Sequence, residues 1–503
     1  MKENNVKKYF SYFEYEIKNR KKKLLKLRKS CIAFPNLFKR NALFLELNKK
    51  YKNKDNKSLS VKNKYVSVAG RIIRKRSFKN SFFIVLQDMS DQIQIYIPKE
   101  ISLNKEKISI LKILDLGDIL GVKGKLFKTK TNELTIRCHE ICLLTKSLRP
   151  LPEKFHGMKD KEIKYRKRYL DLICNRSSKS VFIFRSNLIY FLRDFMRKKN
   201  FLEVETPMMQ SIPGGAIAKP FITYHNYVKS SMYLRISPEL YLKRLVIGGI
   251  EKVFEINRNF RNEGISSFHN PEFTMLELYS AYTNYNDLMQ FTEELLRKTV
   301  KNLLKKTIVS YRGFSLNFDK PFIRMTMRES ILHYLPNLRE NDLEDVEKIG
   351  SIAESLKISK KDNIRSLQYK IFESIVSNQL IQPTFITEYP VEVSPLARRM
   401  DYNNCYTERF EIFIGGKEIG NGFSELNDSE DQLNRFVNQK LSTENSENFN
   451  YIYDKDYIES LEYGLPPTSG LGIGIDRIAM ILTNSKNIRD VILFPTLKKD
   501  RSK

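Results

Sequence analysis

Residues 260–279, FRNEGISSFHNPEFTMLELY, constrain this chain more than any other stretch. Lys252 to Glu263 and Glu272 to Tyr282 read as strands joined by a polar loop, Gly264 to Pro271, the pattern of an antiparallel hairpin with a long tip. A period of two then sorts the side chains. Phe273, Glu277 and Tyr279 share one face of the second strand, and Arg261 and Glu263 come together on the first. That face combines an arginine suited to phosphate, a flat aromatic platform and carboxylates. Taken alone, it could equally be a solvated hairpin surface.

Four further stretches carry the same kind of chemistry. In GLGIGIDRI, Gly470 to Ile478, small residues lead into Arg477 and a helical run, IAMILTN; glycines admit a ligand close to the backbone and an arginine there can fork onto phosphate. The spacing is not that of GxGxxG, and no βαβ pattern surrounds it. In ERFEIFIGGKEIGNGFSELND, Glu408 to Asp428, a Gly415-Gly416 turn separates two strands, the second with Asn421, Phe423 and Glu425 on one parity. Glu418 has the opposite parity and faces the same side only if Gly420 or Gly422 permits a bulge. Finally, Gly214 and Gly215 in IPGGAIAKPF mark a tight backbone, and Glu239 in MYLRISPELYLKRL opens a helix near Ser237, where a carboxylate also suits the helix dipole.

The hairpin of residues 260–279 and GLGIGIDRI together resemble motifs 2 and 3 of the class II aminoacyl-tRNA synthetases. The wording RNEG, HNPEFT and GLGIGIDR is similar to the lysyl-tRNA synthetases of bacterial type, and the resemblance runs from about Arg20 to Pro495. It implies an α+β chain: an N-terminal OB-fold β-barrel followed by a class II catalytic domain, an antiparallel sheet flanked by helices. It also implies site roles. ATP would be bound by Arg261, Glu263, His269, Phe273 and Arg477, with adenine on Phe273, Arg261 at the α-phosphate and Arg477 at the γ-phosphate as the catalytic pair. Glu411 and Glu418 would hold Mg2+, more than one ion accompanying ATP. The substrate lysine would meet Gly215, Glu239, Glu277, Tyr279, Asn421, Phe423 and Glu425.

The implied reaction is activation of lysine by ATP to lysyl-adenylate and pyrophosphate, then transfer to the 3′ end of tRNA(Lys) for protein synthesis. Charge agrees with lysine, because Glu239, Glu277 and Glu425 make an acidic pocket; an aspartate enzyme would need basic residues there, and the acidic pocket disfavours an asparagine enzyme as well. One residue departs from the family. The position before His269 is usually basic and here is Phe268, which predicts a weaker contact of that loop with ATP or pyrophosphate.

The remaining chain supplies a scaffold. Tyr65 to Leu144 falls into five short alternating strands with glycine punctuation, for which an OB-fold is the economical choice. Such barrels stack bases on aromatic side chains and read them with polar ones. The resemblance makes this the anticodon-binding domain, with Phe83 stacking and Arg76, Gln94 and Glu133 reading bases; Phe82 beside Phe83 leaves the register open. Expected boundaries are a basic helical extension at 1–60, the OB-fold at 61–146, a linker and connecting helix at 147–180, and the catalytic domain at 181–503 with a helical insertion at about 300–380. In the extension, Lys21, Lys22, Lys23 and Lys26 would lie along tRNA phosphates. Phe184 to Lys199 is an amphipathic helix leading to FLEVETPMM, which resembles motif 1 and implies a homodimer.

Composition adds little to this. The net charge of +30 from 88 basic and 58 acidic residues suits a polyanion partner, but an excess of Lys, Asn, Ile, Phe and Tyr with no Trp is also what A/T-rich codons produce. Five scattered cysteines and no apolar run of membrane length predict a reducing cytoplasm and no membrane; Cys138 and Cys142 lack a second ligand pair for zinc. Two other readings compete. A ligase that attaches lysine to a protein would lack the N-terminal barrel, and a tRNA-binding protein with a dead catalytic domain would have lost part of the set Arg261, Phe273, Glu411, Glu418 and Arg477.

Overall fold

A computed structural model describes residues 2–30, 32–61, 64–78, 81–98, 100, 110–152, 161–216, 218–359, 362–444 and 453–498. The chain forms two compact units, Met1–Met158 and Lys159–Lys503.

In the first unit five strands close into a barrel in the order β1-β2-β3-β5-β4. They are β1 (Tyr65–Phe78), β2 (Ser81–Gln87), β3 (Gln92–Ile97), β4 (Ile119–Lys128) and β5 (Leu134–Thr145). Alternation builds its core: Ile84 and Leu86 of β2 and Ile93, Ile95 and Ile97 of β3 point inward. The basic extension packs onto this barrel. Its helix runs Lys2–Ser30, and Leu24 and Leu27, three residues apart on one helix face, are buried in the barrel's cluster while Leu25 is exposed. Lys21, Lys22 and Lys26 are exposed, whereas Lys23 is tied 2.6 Å from Asp115 and is engaged by the barrel itself.

The second unit is built on an eight-stranded sheet of order β14-β15-β16-β17-β18-β11-β10-β6. Its elements are β6 (Leu202–Glu203), β7 (Met209–Gln210), β8 (Phe221–His225), β9 (Ser230–Leu234), β10 (Lys252–Phe260), β11 (Glu272–Ala281), β12 (Ile308–Tyr311), β13 (Phe314–Asn317), β14 (Ile323–Thr326), β15 (Thr384–Pro390), β16 (Tyr406–Phe413), β17 (Glu418–Ser424) and β18 (Thr468–Gly474). The sheet is antiparallel through its centre, as expected, but both edges are parallel, β14 on β15 and β6 on β10. The insertion is also not purely helical, since it opens with the β12–β13 hairpin. Helices Arg176–Lys198, Tyr285–Leu304 and Ile475–Leu482 cover one face of the sheet, burying Leu276 and Leu278 of β11, Phe410 and Ile412 of β16, and Leu471 and Ile473 of β18. The alternate residues of those strands therefore face the other way, and they are the charged, aromatic and glycine positions.

One carboxylate joins the three motif segments. Asp476, buried at the start of the Ile475–Leu482 helix, accepts from Arg185 of the Arg176–Lys198 helix at 2.7 Å through one oxygen and from the Thr274 amide of β11 at 2.9 Å through the other. Asp476→Ala strands the Arg185 guanidinium and a buried amide. It should cost about 3 kcal/mol in the urea unfolding of this unit, and it should lower activity as well because Arg477 is its neighbour.

Candidate active site

The uncovered face of the sheet forms the floor of a cleft of about 610 Å³. Alternation brings Phe273, Glu277 and Tyr279 from β11, Glu411 from β16, and Asn421 and Phe423 from β17 into its lining. Loops add Gly215, Arg261, Glu263 and His269, and helix starts add Glu239 and Arg477. Glu418 joins them by the required bulge. Phe413 pairs with Glu418 and Ile412 with Gly420, so Ile419 is the extra residue; it turns into the core and returns Glu418 to the cleft. Glu425 is the one expected residue of this set that lies outside the lining. It stands behind Gly470, where a Cβ would strike Glu425 Oε1 and the Tyr279 ring.

One end of the cleft is cationic. The Arg261 guanidinium lies 5.2 Å from the Phe273 ring centroid, and its buried Nε has no hydrogen-bond partner among the described residues. A buried donor of this kind suits a phosphate oxygen. Arg477 donates to the Glu418 carbonyl at 2.5 Å and to its carboxylate at 3.1 Å, and its guanidinium meets His269 Nε2 at 3.3 Å. Desolvation and then the Arg477 charge hold His269 below its ordinary range, favouring the neutral ring. Burial would raise Glu418, but Arg477, with Arg409 and Arg261, outweighs it and holds that carboxylate below the ordinary range.

Glu411 behaves oppositely. Burial, with Glu418 adding and Arg409 opposing, pushes it up to about 7. Arg409, which the sequence reading missed, donates to Glu411 at 2.5 Å, to Asn421 at 3.0 Å and to the Val393 carbonyl at 2.6 Å. Its signal was available, because Arg409 has the parity of Glu411 on β16. No group of three or more His, Cys, Asp or Glu side chains gathers as a metal site among the described residues. Glu411 and Glu418, two carboxylates close to Arg477, nevertheless fit the donor set of magnesium, which takes one or two carboxylates and completes its shell with other oxygens.

The other end is acidic and deeply buried. Glu277 accepts from Ser237 Oγ and Asn259 Nδ2, each at 2.9 Å. Burial, reinforced by Glu239, pushes Glu277 up to about 7. Beneath it lies a second missed residue, Lys243. It is fully buried, 2.7 Å from Glu239 and in contact with Glu425. Burial works against its charge, but the two carboxylates prevail and hold its pKa above the ordinary lysine value. Glu239 and Lys243 are four residues apart on the helix Glu239–Ile247, the spacing of a helical ion pair. Three carboxylates and one ammonium make a cluster of charge −2 when fully ionised.

On the barrel, period two settles the register. Phe82 has the parity of core residues Ile84 and Leu86, so Phe83 points outward. Arg76 pairs with Phe83 and Phe83 with Tyr96 across the strands, which places Arg76, Phe83 and Gln94 on one outer face. Phe83 and Tyr96 rings are 5.0 Å apart, and Tyr96 meets Phe127 at 6.0 Å, so the aromatic platform is wider than one ring. Glu133 is exposed just before β5, in phase with Thr135 and Arg137.

Comparison with known proteins agrees with this layout. Residues 160–498 match the model of class II tRNA synthetases (D, K and N), and residues 66–144 match that of the OB-fold nucleic acid binding domain. The lysine–tRNA ligase of Buchnera aphidicola subsp. Schizaphis graminum (strain Sg) is 55% identical over 488 residues, 97% of each chain. That of Edwardsiella ictaluri (strain 93-146) is 54% identical, again over 97% of each chain. The chain therefore belongs to the class II tRNA synthetases. Within that class it is a member of the lysine–tRNA ligase family.

Two outcomes follow from the acidic end. Lys243→Met leaves Glu239 and Glu425 buried without their cation and should cost about 3–5 kcal/mol of stability; saturating lysine, which brings an ammonium, should raise the melting temperature of the variant more than that of the parent. The second outcome concerns pH. Only ionised Glu277 attracts an ammonium, so the KM for lysine should rise as pH falls through about 7, approaching roughly tenfold per pH unit for one proton. Free lysine keeps its charges over that range, and Glu277→Gln should flatten the profile.

Proposed function

We propose that this chain activates lysine with ATP and then transfers it to the 3′ end of tRNA(Lys). The observation that carries this reading is the separation of charge along one cleft: Glu239 and Glu277 at one end, with Lys243 and Glu425 behind them, and Arg261 and Arg477 at the other.

The acidic end selects the amino acid. A substrate lysine brings two ammonium groups against a cluster whose charge reaches −2 when fully ionised, so its binding offsets the mutual repulsion of these buried carboxylates. Tyr279, Asn421 and Phe423 close the pocket around its aliphatic stem. Adenine would rest on Phe273, displacing the guanidinium that now covers the ring, and Arg261 would move with its free Nε onto the α-phosphate. Arg477 would hold the outer phosphates, with His269 as a neutral donor beside them.

The lysine carboxylate then attacks the α-phosphorus in line, and the bond to the leaving pyrophosphate breaks. No protein nucleophile is needed. Alignment on a rigid sheet and fixed positive charge at the developing phosphate account for the acceleration. Glu411 and Glu418 would hold magnesium, which, when bound, neutralises phosphate charge. On the barrel, Phe83 with Tyr96 and Phe127 would stack anticodon bases while Arg76, Gln94 and Glu133 read their edges. A homodimer through motif 1 is supported by apolar side chains left exposed in that region, among them Tyr190 and Leu202.

Amino-acid-dependent exchange of pyrophosphate into ATP tests the first step. Exchange should occur with lysine and not with the other nineteen amino acids, and lysine-dependent charging of tRNA(Lys) should follow. Exchange with aspartate or asparagine would overturn the reading of the pocket.

A further inference from the structure

Phe268 lines the cleft from the loop between β10 and β11, and two cations sit on its ring. The Arg312 guanidinium carbon is 4.5 Å from the ring centroid and the Lys417 ammonium 4.7 Å. They come from different elements. Arg312 is at the tip of the β12–β13 hairpin, and Lys417 is in the turn before β17, next to Glu418.

Three observations say that this gathering is not ordinary surface charge. Neither Arg312 nor Lys417 is ion-paired with a carboxylate among the described residues; Arg312 donates to the Lys486 carbonyl at 2.6 Å and Lys417 to Asn378 Oδ1 at 2.7 Å. Both partners are neutral, so they orient the cations and leave their charge uncompensated. Next, Arg312 occupies a left-handed backbone conformation, φ 52°, at a two-residue turn where glycine and asparagine are favoured. Keeping a long cationic side chain at such a position costs stability and marks a candidate functional position. Finally, Arg477 lines the same cleft as Phe268 and donates to Glu418, the residue next to Lys417, so three cations share one region. Glu418 answers Arg477, but Arg312 and Lys417 have no carboxylate of their own among the described residues; the face of an aromatic ring offsets part of their repulsion, and a polyanion would offset the rest.

We propose that Arg312 and Lys417, held on the Phe268 ring, bind the leaving pyrophosphate and, before it forms, the outer phosphates of ATP, in concert with Arg477. This rests on the adenylate-forming reading of the cleft. The loop that carries no cation at position 268 thereby recruits two from neighbouring turns, and the aromatic ring is what recruits them. Arg312 reaches the site from an exposed turn, whereas Lys417 is half-buried.

The test uses the full-length protein and pyrophosphate with magnesium as the probe. Arg312→Ala and Lys417→Ala should each raise the KM for pyrophosphate in lysine-dependent exchange roughly tenfold, and weaken pyrophosphate binding in calorimetry alike. Phe268→Leu keeps the bulk and loses the ring, and should raise it about three- to fivefold. The KM for lysine should stay within about twofold, since the acidic end is untouched. The double variant Phe268→Leu with Arg312→Ala should be less than additive, because the ring acts through the cation. Unchanged pyrophosphate and ATP constants in both cation variants would overturn the proposal, as would an additive double variant or a loss confined to the KM for tRNA. Absence of lysine-dependent exchange in the parent protein would instead sink the functional reading itself, and this site with it.

Discussion

Asp476 accepts one hydrogen-bonded cation and one backbone amide, and through them the three segments that make the site are held in one register. A buried carboxylate cannot be left half satisfied, because its desolvation is recovered only when both oxygens have partners. Arg185 on the Arg176–Lys198 helix and Thr274 on β11 are those partners. The arrangement also fixes Arg477, the next residue, at the edge of the cleft. Packing of the dry face of the sheet supplies most of the stability, while this polar contact selects which packing occurs.

The cleft depends on keeping opposite charges apart within one low-dielectric space. Its acidic end would be self-repelling if Lys243 did not lie beneath Glu239 and Glu425, and its cationic end would be so without Glu418 beside Arg477. Each end is thus partly neutralised from within, and each retains an excess that the substrates carry in the opposite sign. Lysine binding and ATP binding are therefore separable in electrostatic terms, although both rest on the same strands. Arg409, reaching from Glu411 to Asn421, lies between the two ends and connects them.

Much of this was legible beforehand for a simple reason: in a strand the side-chain period is two, so a line of residues specifies a face. Phe273, Glu277 and Tyr279 meet in the cleft as their spacing implied, and Phe83 turns outward because Phe82 has the parity of the barrel core. Alternation failed at Glu418, where one extra residue, Ile419, inverts the phase. Lys243 and Arg409 were readable by the same rules, one by helical spacing and one by parity. They went unread because a lone basic residue on an amphipathic element is ordinarily a solvated one. The parallel edges of the sheet had no local signature, since a two-residue strand such as β6 has too few side chains to show a period.

Local order along the chain was enough to establish the hairpin, the barrel, the polar face of the sheet and the acid and arginine positions on it, because each follows from steric periodicity over a few neighbouring residues. Folding alone could determine which distant groups share a space. Glu425 behind Gly470, Lys243 beneath two carboxylates, and Arg312 with Lys417 on one aromatic ring are contacts between segments far apart in the chain. Coulomb and cation–π interactions act over a few ångströms of space, whatever the separation in sequence, so the charge balance of the site exists only once the sheet has brought those segments together.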